Sequence, residues 1–396
     1  MRVLLVAPQP FLQERGTPLA VLMLAQALCA QGHTVDLLTF PEGRDVEIDG
    51  LRIIRIPAIP GVRGVPIGIS WKKLVCDALL CCALFWLALR HRYDIIHAVE
   101  EAVFPAVLLR ALTRVGVVYD MDSILGEQLI SKWQRLRGAA RTLAACENAV
   151  IRRVDAVFAV CSELADHVRN VAPGVPVFLI EDVALEGSSC EAVAAEPLRR
   201  QYDIRSALAL YVGNLEPYQG VEELLEALAL VGPETPLTLV VVGGSSEQVE
   251  RVGALAERLG VAQRVKAIGA RPVAGMADYL RQADILVSPR REGINTPMKV
   301  YSYMLSGKPI LATRIRAHTQ VLDDQCALLV APEAEAMAEG LAALTRDPKL
   351  REKLGATARS RAAKSYTLEV FREKVRRAYG AVSALQSGYR SARDGR

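Results

Sequence analysis

The chain has 396 residues, a formal net charge of +4, 51% hydrophobic residues and only 5% aromatic ones. That length exceeds one ordinary core, so two domains are expected, and the aliphatic-rich, aromatic-poor mix favours buried parallel strands over an aromatic-rich all-β fold. The charge is mild and forms no concentrated basic stripe, which argues against nucleic acid as a partner.

An apolar strand is expected at Arg2–Ala7, and no signal-peptide pattern is visible in the sequence. Further strands are expected at Val35–Thr39, Leu51–Ile56, Asp94–Ala98, Val115–Tyr119, Ala156–Cys161 and Val177–Ile180. A helix over Pro18–Gln31 starts after Gly16-Thr17 and stops at Gly32. The apolar run Leu74–Leu89 is flanked by Trp71, Lys72 and Lys73 and by Arg90, His91 and Arg92, and contains Asp77. Three readings stay open for it: a helix packed between sheet and surface, a helix lying on a membrane surface with basic flanks, and a spanning helix, for which it is a little short.

The scheme restarts in the second half, with strands at Leu208–Gly213, Leu237–Gly243, Val265–Ile268, Ile285–Ser288, Pro309–Thr313 and Ala327–Val330. Strands alternating with helical patterns imply parallel sheets covered on both faces. The expected organisation is an N-terminal domain over 1–184, a linker over 185–200, a C-terminal domain over 201–375, and a C-terminal helix with a frayed tail over 376–396. The eight cysteines, scattered among apolar runs without Cys-x-x-Cys spacing, read as reduced core thiols of a cytoplasmic chain, not as a metal or disulfide framework.

Ligands of doubly wound sheets bind beyond the carboxyl ends of the strands. Three such junctions in the second half carry glycine: Gly213-Asn214-Leu215-Glu216-Pro217-Tyr218-Gln219-Gly220, Gly243-Gly244-Ser245-Ser246, and Arg290-Arg291-Glu292-Gly293-Ile294-Asn295-Thr296-Pro297. Glycine lets backbone N–H groups approach phosphate oxygens, and a following helix N-terminus adds positive potential. The first strand lacks the G-x-G-x-x-G of a nicotinamide site, leaving only Gly16 at the mouth of the first helix.

The stretch from Arg290 to Pro309, with Glu292 at its head and Ser306-Gly307-Lys308-Pro309 at its end, resembles the donor-site signature of glycosyltransferase family 4. Tyr211-Val212-Gly213 through Gly220, Asp94-Ile95-Ile96-His97-Ala98, and Gln31-Gly32-His33-Thr34-Val35 agree with other parts of that family, and the likeness spans about residues 1 to 380. The resemblance implies an α/β chain of GT-B fold, two tandem Rossmann-like doubly wound domains facing a cleft. It implies a retaining glycosyltransferase that needs neither metal nor cofactor. The donor would be a UDP- or GDP-linked sugar and the acceptor a glycan or lipid-linked molecule of the cell envelope.

On this resemblance Glu292, His97 and Asp120 are the catalytic candidates. The donor would be held by Gly16, Gly213, Asn214, Gln219, Gly243, Gly244, Arg290, Arg291, Gly293, Ile294, Asn295, Lys299 and Ser302, and the acceptor by Glu100, Glu101 and Asp122. Asp120-Met121-Asp122 mimics a metal-binding pair, but the fold needs no metal. The chain departs from the family in three places. The second glutamate of the signature is replaced by Val300, or by Ser302 if the alignment is anchored on Ser306–Pro309. The basic residues common in the family's first donor loop are replaced here by the neutral Asn214 and Gln219. The second histidine after the strand at His97 is Val99. Arg290, Arg291 and Lys299 are then the cations left to face a diphosphate. His318, after Arg314 and Arg316, either lines the donor site or caps a helix. A catalytically weak or inactive member that binds a nucleotide or glycan is the alternative function, and contact with the cytoplasmic face of a membrane through Leu74–Leu89 is a further expectation.

Overall fold

The computed structural model describes residues 1–12, 16–62, 64–65, 70–113, 115–126, 137–184 and 197–394. The chain divides into two compact units, Met1–Glu181 with Phe371–Arg396, and Asp182–Val370. Residues 185–196, most of the segment expected as the linker, lie outside the described residues.

The first unit holds seven strands: β1 (Arg2–Ala7), β2 (Thr34–Thr39), β3 (Leu51–Arg55), β4 (Ile95–Val99), β5 (Gly116–Met121), β6 (Ala156–Ala159) and β7 (Val177–Leu179). They pair in the order β3-β2-β1-β4-β5-β6-β7, all parallel. Val3 to Val6 are wholly buried, as a strand covered on both faces requires. The start of the sheet is clamped by Asp36 of β2, which accepts hydrogen bonds from Arg2 of β1 (2.9 Å), Arg52 of β3 (2.7 and 2.8 Å) and Tyr93 just before β4 (2.7 Å). Burial alone would raise the Asp36 pKa, but these donors hold it below the usual carboxylate range.

Helices α1 (Gly16–Ala30), α2 (Trp71–Arg90), α3 (Val103–Thr113), α4 (Arg137–Ile151) and α5 (Ser162–Val171) accompany this sheet. Ser70 caps α2, its hydroxyl accepting from Lys73 N at 3.1 Å. Cys76, Leu80, Leu84 and Leu87 bury one face of α2, with the spacing of a single helical stripe. Among the described residues no helix is long and apolar enough to cross a membrane, which removes the spanning reading of this segment.

The second unit holds β8 (Ala207–Val212), β9 (Leu237–Val242), β10 (Val265–Gly269), β11 (Ile285–Ser288), β12 (Ile310–Thr313) and β13 (Leu328–Val330), in the parallel order β10-β9-β8-β11-β12-β13. Its helices are α6 (Leu198–Gln201), α7 (Val221–Leu230), α8 (Ser246–Arg258), α9 (Met276–Gln282), α10 (Met298–Ser306), α11 (Arg316–Thr319), α12 (Ala334–Arg346) and α13 (Pro348–Ser365). Alternate residues of each strand enter two separate cores. Leu208, Leu210 and Val212 of β8 pack with α9, α10 and α13, whereas Ala209 and Tyr211 pack with α7, α8 and α12.

The last helix, α14 (Leu368–Asp394), is regular through Asp394, where fraying was expected after Gln386. It belongs to the first unit from Phe371 onward. Phe371, Val375, Ala378, Tyr379 and Val382 form its buried stripe. Lys374 pairs with Glu181, and Gln386 donates to the Asp94 carbonyl at 3.1 Å.

Candidate active site

Strand order reverses direction between β8 and β11 in the second sheet, so the loops after these two strands flank its switch point. They are stitched together. Arg291 N donates to the Tyr218 carbonyl at 2.9 Å, and Gly220 sits at φ +73° where a Cβ would collide with the Pro289 carbonyl. The loop after β9 joins them: Gly243, at φ +126°, leaves no room for a Cβ against the Gly213 carbonyl. Gly244 follows, and Ser245 caps α8 in a reciprocal capping box with Gln248.

Lys299, in the first turn of α10, reaches into the middle of this arrangement. Its Nζ donates to Gln219 Oε1 at 3.2 Å, lies 4.0 Å from the centre of the Tyr211 ring, and stands beside Gly213. Lys299 is half-buried. Desolvation, and secondarily Arg290, push its pKa well below the usual lysine range. Ser302 lies one turn further along α10 and is buried, while Val300 is a core residue packed among the apolar side chains of α9, α10 and α13. A carboxylate at Val300 would be unsolvated, which leaves Ser302 as the polar one of the two positions that stand for the missing second glutamate.

The other two cations have partners of their own. Arg290 donates from Nε to the Glu292 carbonyl (2.6 Å) and from its two terminal nitrogens to the Asn295 carbonyl (3.2 Å) and side chain (3.1 Å). It also stacks 5.2 Å from the Tyr218 ring centre. It is therefore a staple that shapes the loop, and Gly293 beside it takes φ +116°, a backbone conformation in which any side chain would be strained. Arg291 pairs with Glu223 of α7 at 2.5 Å. Asn214 is engaged within its own loop, accepting from Glu216 N at 3.3 Å. The Ile294 carbonyl accepts from Gln320, at 2.5 Å. Glu292 is exposed at the tip of the loop. Thr296, which no sequence pattern singled out, has a buried Oγ1 without a hydrogen-bond partner among the described residues.

His318 is wholly buried and lines no site. Its Nε2 meets Ser288 Oγ at 2.9 Å at the end of β11, and its Nδ1 meets the Thr313 carbonyl at 2.8 Å at the end of β12. Thr313 in turn donates to the Arg290 carbonyl. Desolvation lowers the His318 pKa to about 3, so it is a neutral tie between two strand ends.

In the first unit the switch point lies between β1 and β4. Gly16 opens α1 with free space around its Cα, and residues 13–15 ahead of it lie outside the described residues. At the end of β4, Glu100 takes an uncommon left-handed φ of 47°, and Glu101 pairs with Lys73 of α2. The same Lys73 donates to the Pro8 carbonyl at 3.2 Å, beyond the end of β1. Asp120, near the end of β5, is partly exposed, and Asp122 follows it. His97 is a correction to the sequence reading. It has no exposed surface, so it does not touch a substrate. Its ring stacks on Tyr379 of α14, with Nδ1 2.8 Å from the Tyr379 hydroxyl. Its Nε2 lies 3.3 Å from Asp120 Oδ2 but outside hydrogen-bond alignment. Lys73 and Tyr379 were not foreseen; the basic flank of the apolar helix was the only signal for the first, and the second is 282 positions from its partner. No group of three His, Cys, Asp or Glu among the described residues is placed to hold a metal ion.

Two family models match the chain in tandem: "Glycosyl transferase 4-like domain" over residues 15–180 and "Glycosyl transferases group 1" over 196–361. The chain is 25% identical to phosphatidyl-myo-inositol mannosyltransferase of Mycobacterium leprae, over 98% of both chains. Sucrose-phosphate synthase of Thermosynechococcus elongatus superposes with a TM-score of 0.81 at 22% identity, covering 97% of this chain and 99% of that one. Anabaena HepE, solved with UDP-glucose, superposes at 0.72 and 17% identity, covering 96% and 100%. Two parallel-sheet units with these loops at their switch points, the two family models and these neighbours make the chain a glycosyltransferase of GT-B fold, a member of glycosyltransferase family 4.

Proposed function

We propose that this enzyme moves a sugar, with retention of configuration, from a UDP- or GDP-linked donor to a glycan or lipid-linked acceptor on the cytoplasmic face of a membrane. The observation that carries the donor half is Lys299: an ammonium at the start of α10 that meets the first glycine loop at Gln219 and stands beside Gly213. A departing nucleoside diphosphate gains negative charge, and a pre-positioned cation that lacks solvent is worth most to it there. Lys299 takes the place of the cations missing at Asn214 and Gln219. The backbone N–H groups of Gly293 and Ile294 add to it, the Glu292 carboxylate accepts sugar hydroxyls, and Ser302 offers a hydroxyl to the ribose. No covalent nucleophile is assigned; the departing phosphate takes the acceptor proton on the same face as attack. Glu100, Glu101 and Asp122 bind the acceptor, with Asp120 beside them. The M. leprae relative's name supports a lipid-borne acceptor with a hydroxylated head group.

The test is a thermal-shift screen against UDP, GDP, ADP and their sugar conjugates, followed by donor turnover. Selective binding raises stability by roughly 2.7 kcal/mol at a hundredfold excess over the dissociation constant. A shift with one base supports the donor site and names the base; no shift with any nucleotide sinks it. The absence of a carboxylate at Ser302 favours a second reading, a nucleotide-binding member without activity. Turnover above background rules that out.

A further inference from the structure

From the outward surface of two neighbouring helices we infer that the first unit rests on an anionic lipid bilayer through a plate built from both α2 and α3. Trp71, Leu74, Trp86 and Leu89 of α2 and Leu108 and Leu112 of α3 are each 57–69% exposed, in a chain whose exposed large apolar side chains are otherwise few. On α2 these residues, with the exposed Ala78 and Cys82 between them, fall on one side of the helix, opposite the buried stripe Cys76–Leu87. On α3, Leu108 and Leu112 are one turn apart and lie opposite the buried Ala106 and Val103. The two helices pack against each other, so their outward faces form one contiguous patch.

Three observations select a bilayer as the occupant. The exposed positions of the patch include no acid. Asp77, the acidic residue within α2, is partly buried and paired with Lys73. The ends carry cations instead: Lys72 near the start, and Arg90 and Arg92 after Leu89. The indoles stand near both ends of the helix, and Arg90 lies 5.7 Å from the centre of the Trp86 ring, so an amphipathic ring and a cation share one edge of the plate. Indoles at the interface with cations beside them suit a headgroup layer carrying negative charge, with leucines between them entering the acyl boundary. The helix lies on the surface and does not cross it.

The plate also has a direction. Its first turn carries Lys73, whose ammonium pairs with Glu101 and reaches the Pro8 carbonyl at the switch point of the first sheet. The membrane-facing stripe therefore begins within one helical turn of the proposed acceptor residues. A lipid-linked acceptor would keep its chains in the bilayer beside Trp71 and Leu74 while its head group met Glu101 and Asp120. This placement deepens the lipid-linked acceptor reading above and rests on it; the docking surface itself does not.

The test uses the full chain and vesicles that contain neither donor nor acceptor. Flotation is compared between phosphatidylcholine vesicles and the same vesicles with phosphatidylglycerol added. The expected result is binding to the second and much less to the first, weakening as salt screens the basic edge. The pairs Trp86→Glu with Leu89→Glu and Leu108→Glu with Leu112→Glu should each lower partitioning by about tenfold or more. Tryptophan-independent melting curves confirm that the variants are folded. Wild-type protein that ignores anionic vesicles, or a Leu108/Leu112 variant that binds as well as wild type, overturns the plate. Light scattering that shows a dimer broken by the same substitutions overturns it in favour of a second copy of this chain. Donor hydrolysis measured on the same preparations reads the transfer chemistry separately, so either conclusion can fail alone.

Discussion

Lys299 carries its charge in a place that disfavours it, enclosed by Tyr211, Gln219 and Gly213 with Arg290 nearby. An anionic ligand would relieve that penalty, so binding a nucleoside diphosphate should be accompanied by proton uptake. The protonated amine binds the anion, and its pKa is lower in the free protein than in the complex. Affinity is therefore greatest at pH below the free-protein value and falls as pH rises towards the bound one. Replacing Lys299 by Met should weaken diphosphate binding by roughly ten- to a hundredfold, the worth of one charge-assisted hydrogen bond, and should remove this part of the pH dependence. Calorimetric titration in two buffers of different ionisation heat reads both. At His318 the sign is opposite in origin. The folded protein holds it neutral down to about pH 3, whereas the unfolded chain protonates it below about 6.5. Stability is unaffected above that range and falls as pH drops through it, by about 1.4 kcal/mol per pH unit from this residue. Scanning calorimetry should show a smaller acid-side loss in His318→Gln than in wild type; equal losses would refute the assignment.

At the scale of the element, the donor loops hold their shape because particular backbone positions admit no side chain. Gly220 meets two demands at once, a left-handed φ and contact with the Pro289 carbonyl. Gly220→Ala should separate the loops after β8 and β11 and cost about 1–3 kcal/mol of stability, the scale of one strained backbone position. Nucleotide-dependent stabilisation should be lost with it. Gly16→Ala is the contrast: nothing lies within 4 Å of a Cβ there, and it should leave stability within about 0.5 kcal/mol of wild type. Melting curves with and without nucleotide separate the two. Arg290 acts at this scale too. As the staple inside its own loop, its removal should impair binding through loop shape, so Arg290→Lys should fail nearly as badly as Arg290→Ala in the same titration.

For the whole molecule, the return of α14 to the first unit is decisive. Its apolar stripe, Phe371, Val375, Tyr379 and Val382, contributes roughly 1.5–3 kcal/mol for each side chain buried, comparable in sum to the stability of an entire domain. Removing residues 371–396 should unfold the first unit and leave the second able to bind nucleotide. All three tryptophans, Trp71, Trp86 and Trp133, fall within the first unit's stretch of sequence and none within the second's, so tryptophan fluorescence follows the first unit while nucleotide titration follows the other. Loss of the nucleotide response in the truncated chain would contradict the independence of the two cores.

All thirteen strands among the described residues could be placed from sequence within a residue or two, because each is a short aliphatic run in a sheet buried on both faces and is bounded by polar or glycine-bearing turns. The family followed from the Glu292–Pro309 segment, since a loop that approaches a ligand with its backbone constrains residue type at fixed spacing. What sequence left open were the contacts between distant segments. Nothing local to His97 says that Tyr379 closes over it, and nothing local to Arg290, Arg291 and Lys299 says that the first two are engaged by Asn295 and Glu223 while the third reaches Gln219. The reach of Lys299 depends on the packing of α10 beside β8, and the apolar plate on α3 lying next to α2. Periodicity along a chain records which face of an element is buried; which groups then meet there is decided only when the elements pack.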